Sequence, residues 1–268
     1  MLFLHALITH NFLQYAVLGG ILASIACGMI GPLVVAKRMS YIAGGIAHTT
    51  LAGMGIAYFM QQSPLYGALV VAIIAGLIIG IISLKVEKYA DTIISILWAI
   101  GMGVGLIFIS KTPGYNADLM SYLFGNILLI SKNNLYLLLG LDVVIVVLIT
   151  IFYRQLIAVT FDEEFARVRG LKVDFYYLML IMLIALTVVS LIQVVGLILI
   201  LALLTAPAVI GGAFFKSLGK IIVSSVILGG VFTFLGLWIS YVFNLPSGAV
   251  IVLVATGVTI LIPLRALF

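Results

Sequence analysis

The sequence predicts an all-α integral membrane protein, a polytopic bundle of about 8–9 transmembrane helices. Three observations carry this. Hydrophobic residues make up 65% of the 268-residue chain and charged residues only 8%, a balance that belongs to membrane proteins. A spanning helix needs roughly 20 apolar residues, so the spans use up the chain, and residues 1–268 read as a single transmembrane domain without a sizeable soluble part. The few charges are gathered in short stretches between the apolar runs, above all in the loop 154–174.

The apolar runs place spans at about 12–36, 42–61, 65–84, 92–110, 134–153, 175–191, 195–214, 221–243 and 248–264. The N-terminal MLFLHALITH has no basic residue ahead of its apolar run, so it lacks a signal-peptide n-region and the first helix is expected to be retained. The second span, within SYIAGGIAHTTLAGMG, is slim and rich in glycine. Gly76 and Gly80 in the third span, and Gly101 and Gly105 in the fourth, are spaced four apart on one helical face, which permits close helix contact in lipid. The run Gly101-Met102-Gly103-Val104-Gly105 lies inside a span, and the chain contains no Walker lysine motif. It is therefore not a nucleotide loop, and the chain does not hydrolyse ATP by itself. Between the fourth and fifth spans KTPGYNAD is polar, and Met120–Ile130 reads as a half-helix at the outer surface. Leu191–Gly196 is a weak turn signal dividing the sixth and seventh spans. Pro207, in the seventh, frees the carbonyl of Leu203 and reads as a packing kink or a hinge.

Orientation follows from the basic residues. With the 154–174 loop in the cytoplasm, nine spans put eleven of the thirteen Lys and Arg inside and leave only Lys111 and Lys132 outside, a strong positive-inside bias. The N-terminus, with His5 and His10, is then external and the C-terminus cytoplasmic. The net charge of +5 is scattered over short loops, which argues against nucleic acid as a partner.

The 154–174 loop holds four basic and three acidic residues between Arg154 and Val173. Asp162–Arg169 reads as a short helix. Asp162 caps its N-terminus, Glu163 and Glu164 occupy the acid-favouring first turn, Arg167 and Arg169 the last, and Gly170 stops it. Phe165, Ala166 and Val168 give it an apolar side that its own loop cannot bury. It is either a membrane-surface helix or a segment presented to a partner.

Ionisable groups within spans are costly, roughly 2.5–3.5 kcal/mol each at the bilayer centre, and so mark function by default. His48, in the second span, and Asp142, about two turns into the fifth, are the two such groups. His48 is a structural imidazole hydrogen-bonded to a neighbour, or a metal ligand or pathway residue with room around it left by the small residues Gly44, Gly45, Ala47, Ala52, Gly53 and Gly55. Asp142 is an acid near the interface paired with a polar neighbour, or a second pathway residue. One imidazole cannot hold a divalent cation, but a two-fold homodimer would bring two copies of His48 to its axis. Cys27 stands alone, so there is no disulfide framework or CxxC site. A self-contained secondary transporter would need more intramembrane ionisable groups. An intramembrane enzyme would need a nucleophile–base or carboxylate pair that the spans do not hold.

Four stretches resemble one family. Arg38-Met39-Ser40-Tyr41 with Ala47-His48 is similar to a second-helix motif. Phe161 to Leu171 (FDEEFARVRGL) is similar to a cytoplasmic coupling segment. Gln193-Val194-Val195-Gly196 through Leu204-Thr205-Ala206-Pro207-Ala208, and Leu245-Pro246-Ser247-Gly248-Ala249, are similar to later signatures. In this order and spacing they resemble the permease subunits of the ABC importers for zinc, manganese and iron, over most of the chain. A permease for siderophore or cobalamin is the other reading within this architecture.

The resemblance implies a homodimeric permease in the bacterial cytoplasmic membrane, bound to two cytosolic ATPase subunits that carry the ATP. An external metal-binding protein would deliver a divalent cation. The Asp162–Arg169 helix would dock on the ATPase, with Phe165 and Val168 as apolar anchors. The chain departs from the family at Gly44, where many members carry Asp four residues before the histidine, on the same helical face. Imidazole without that carboxylate leans toward zinc rather than manganese, unless Asp142 or a backbone carbonyl supplies the oxygen.

Overall fold

The computed structural model describes residues 2–112, 125–197 and 200–261. Every regular element among them is helical. The chain runs through α1 (Leu2–Thr9), α2 (Asn11–Ala36), α3 (Ser40–Phe59), α4 (Pro64–Lys85) and α5 (Ala90–Ser110). It continues with α6 (Lys132–Ile151), α7 (Tyr153–Phe161), α8 (Glu163–Val168), α9 (Val173–Val195), α10 (Ile200–Phe214), α11 (Leu218–Phe243) and α12 (Ser247–Leu261). Among the described residues seven helices (α2–α6, α9 and α11) are long and apolar enough to cross a membrane, and α10 and α12 are shorter apolar helices. All nine fall where the hydrophobic runs place spans.

The chain divides into two compact units, residues 1–35, 119–146 and 190–268 in one, and 36–118 with 147–189 in the other. In the first, α10, α11 and α12 pack on one another. Ala206, Ile210, Phe232 and Ala255 form a buried cluster there. Close approach is built from absent side chains. A methyl on Gly28 would meet the backbone of Val226 at 2.5 Å, and one on Gly236 would meet the Cα of Ile251 at 2.6 Å. The apolar residues ahead of the first expected span form α1. Phe3 is buried and packs edge-on against Phe234 and Tyr241, with ring centroids 5.9 and 5.4 Å away.

In the second unit α3 lies between α4 and α5. It is the least apolar of the seven long helices and the most buried, as a helix carrying His48 and a run of Ser, Thr and Gly must be if its polar groups are to be kept from lipid. The two glycine pairs do what their spacing predicts. Gly76 and Gly80 face Met182 and Leu178 of α9, while a methyl on Gly101 or Gly105 would meet the backbone of Thr49 or Leu51 on α3 at 2.5 or 2.6 Å. Gly101→Leu should therefore lower the midpoint of thermal unfolding in detergent, at a cost of about 1–3 kcal/mol for overpacking. Gly103→Leu, where nothing lies within 4 Å, should not. Equal shifts for both would disprove the packing assignment.

Three sequence expectations are corrected. Residues 153–161, taken as the leading part of a polar loop, form α7, because Leu156 and Val159 are buried one turn apart. The sixth span does not end at 191. α9 continues to Val195 and breaks at Gly196, whose φ of 76° is open to glycine at little cost. Of the half-helix expected at Met120–Ile130, the part 120–124 lies outside the described residues. The rest is a single 3₁₀ turn, Ile127–Leu129, capped by the Asn126 side chain, which accepts from the Leu128 amide at 3.2 Å.

Candidate functional site

His48 sits on the third turn of α3, half-buried. α5 is held close on this stretch because Gly45 and Gly101 have no side chains, so that Ile94 and the Thr49 backbone fill the space instead. That proximity puts the indole of Trp98 flat against the imidazole, with ring centroids 3.9 Å apart and planes 7° from parallel. Trp98 is itself anchored, its Nε1–H donating to Met102 Sδ at 3.0 Å. Tyr41 lies 6.5 Å from the same indole and shares a hydroxyl hydrogen bond with Ser95. The imidazole is thus oriented through its face. Nδ1 is buried and has no hydrogen-bond partner among the described residues, so the hydrogen-bonded structural histidine expected as one reading is not what α3 presents. A ring whose plane is fixed and whose buried nitrogen is unused is suited to coordination.

Sequence reasoning missed Trp98. A tryptophan one turn before Gly101, in a helix already marked for close contact, was the available signal. Gly44 is buried one turn before His48 on the same face and contributes no donor. Among the described residues no three His, Cys, Asp or Glu side chains converge, so one chain offers this site a single imidazole.

Asp142 lies in the other unit, on α6. It is 3% exposed and neither carboxylate oxygen has a hydrogen-bond partner among the described residues. The polar neighbour expected for this acid in one reading is thus not found among the described residues: Asp142 is a buried acid without a hydrogen-bond partner there. Pro207 is buried within α10. Near it a methyl on Gly31 would overlap the carbonyl of Leu204, so α2 and α10 touch through backbone beside the proline. Asp142 and Pro207 share one unit, His48 and Gly44 the other.

The polar segment folds as an elbow. Asp162, with an extended backbone, joins α7 to α8 and caps α8 by accepting from the Phe165 amide at 2.8 Å. Glu163 and Glu164 fill the first turn and Arg167 the last. Arg169 is the C-cap and Gly170 follows at φ 79°, which closes the helix as the sequence predicts. The apolar side divides in two. Ala166, expected to be left uncovered, is fully buried against Val159 and Val173 inside the elbow. Phe165 and Val168 point away from it, 50% and 88% exposed. The Arg169 guanidinium lies 5.0 Å from the Phe165 ring, and Arg167 pairs with Asp174 at 2.7 Å. α8 therefore shows outward a small apolar patch framed by charge.

Residues 9–266 match the family model described as the ABC 3 transport family. The chain belongs to that family. A probable metal transport system membrane protein of Chlamydia trachomatis is 41% identical to the permease over 241 residues, 88% of this chain and 82% of that one. The manganese transport system membrane protein of Listeria monocytogenes shares 35% over 256 residues, 96% and 91%. Among solved structures, PsaBC from Streptococcus pneumoniae in complex with Fab superposes with a TM-score of 0.88 at 32% identity, covering 99% of the permease and 94% of that chain. The permease is thus a membrane subunit of an ABC transporter for metal, and ATP hydrolysis belongs to a separate subunit.

Proposed function

We propose that the permease carries a divalent transition-metal ion, zinc by preference, into the bacterial cytoplasm along the axis of a homodimer. The observation that carries this reading is His48, a lone imidazole held by Trp98 on the most buried helix of its unit, its Nδ1 unused. Two copies across a dimer axis would supply two nitrogens, with water or a carbonyl completing the shell. An external metal-binding protein loads the site. A cytosolic ATPase dimer docks on Phe165 and Val168 of α8, with the N-terminus outside and the C-terminus in the cytoplasm.

Zinc follows from the donor set, since nitrogen without a neighbouring carboxylate suits zinc better than manganese. Manganese is the second reading, supported by the manganese-named Listeria relative. Uptake of zinc and manganese into vesicles holding the assembled transporter separates them. Gly44→Asp, which sets a carboxylate one turn from His48, should move the zinc-to-manganese uptake ratio toward manganese by at least about tenfold. An unchanged ratio would remove the donor-set argument.

A further inference from the structure

The elbow is tied to the α2–α3 turn by one side chain. Lys37 lies in the short turn between α2 and α3, next to Arg38, whose φ of 57° marks a tight reversal. Its ammonium donates to the Val159 carbonyl at 2.8 Å and pairs with the Glu163 carboxylate. It also lies 5.6 Å from the Tyr177 ring centroid. Val159 is in the last turn of α7, where free carbonyls attract a cation, and Glu163 is the first residue of α8. Lys37 therefore bridges both sides of the Asp162 elbow, across 122 and 126 residues of sequence.

Burial separates this contact from ordinary surface pairing. The Lys37 side chain is 11% exposed and Glu163 44%, so the ammonium end of this pair is withdrawn from solvent, whereas the Arg167–Asp174 pair is 59% and 61% exposed at its two ends. Exposed pairs hold little, while a largely buried ammonium that loses its partners leaves an uncompensated charge. The tie is also well placed. Ser40 opens α3 directly after this turn, and His48 stands eight residues further on, about 12 Å along the helix at 1.5 Å per residue.

We propose that Lys37 is a positioning residue that couples the docking elbow to the metal-bearing helix. It holds the α7–α8 elbow to the root of α3, so that displacement of Phe165 and Val168 by the ATPase reaches the His48 helix as a rigid movement. This rests on the reading of α8 as the ATPase dock.

The test counts metal imported per ATP hydrolysed by the complete transporter in sealed vesicles, with zinc and with manganese. ATPase retained on the permease is measured in the same preparations. Lys37→Met keeps the aliphatic stem and removes the donor. It should leave the ATPase bound and hydrolysing while metal per ATP falls at least tenfold, and Lys37→Arg should recover most of the loss. Glu163→Gln removes the charge pair but leaves the Val159 bond, so it should lower the same ratio by a smaller factor. It carries the test if Lys37→Met does not reach the membrane. A ratio equal to that of the unaltered transporter, or import and hydrolysis falling in proportion, would overturn the coupling role alone. If the unaltered permease retains no ATPase, the docking reading falls and the coupling role with it.

Discussion

Replacing His48 by Ala should abolish ATP-driven metal uptake, with a loss on the order of 100-fold, since even outer-shell changes at metal sites cost 10–100-fold. In a homodimer the substitution removes both imidazoles at once. It also takes away the ring that stacks on Trp98 at 3.9 Å, a contact worth about 0.5–1.5 kcal/mol beyond burial. His48→Phe separates these effects, because phenyl keeps a stacking face and has no nitrogen. It should retain the thermal stability that His48→Ala partly loses, and should transport no better. Uptake of zinc or manganese by His48→Phe at the unaltered rate would rule out coordination and leave His48 a packing residue.

Val168→Asp should release the ATPase. Val168 is 88% exposed, so the isolated permease should keep its unfolding midpoint, surface changes of this kind usually lying within about 0.5 kcal/mol. Placed in an apolar docking contact, the same carboxylate meets a desolvation cost with no partner. Anchor residues in such contacts carry about 2 kcal/mol or more, roughly thirtyfold in affinity. Co-purification of the ATPase should be lost and ATP-driven uptake with it, and Phe165→Ala should act in the same direction. ATPase retained at full stoichiometry on Val168→Asp would make α8 a surface helix and not a dock.

Much of this protein is written in local sequence. The spans follow from the run lengths of apolar residues, because in lipid the backbone must satisfy itself within each helix. The cap, charge order and stop of α8 follow from Asp162, Glu163, Glu164, Arg167 and Gly170, because capping acts over three or four residues and needs no distant partner. The glycine pairs on α4 and α5 announced a close contact for the same reason: four-residue spacing defines a face before the partner is known. His48 was legible as a costly residue in the wrong solvent.

What the tertiary structure decided is everything that depends on which helix lies opposite. The burial of Ala166, beside two neighbours left in the open, required α7 and the start of α9 to close over it. The partner of the His48 ring is Trp98, fifty residues away, brought there only because Gly45 and Gly101 let α5 approach α3. Asp142 faces protein and finds no polar neighbour among the described residues, since depth along a helix can be counted from sequence but rotation toward protein or lipid cannot. Lys37 read as one more positive-inside charge until Val159 and Glu163 stood around it. Sequence determines what a segment must do with its own backbone; packing decides what its side chains meet.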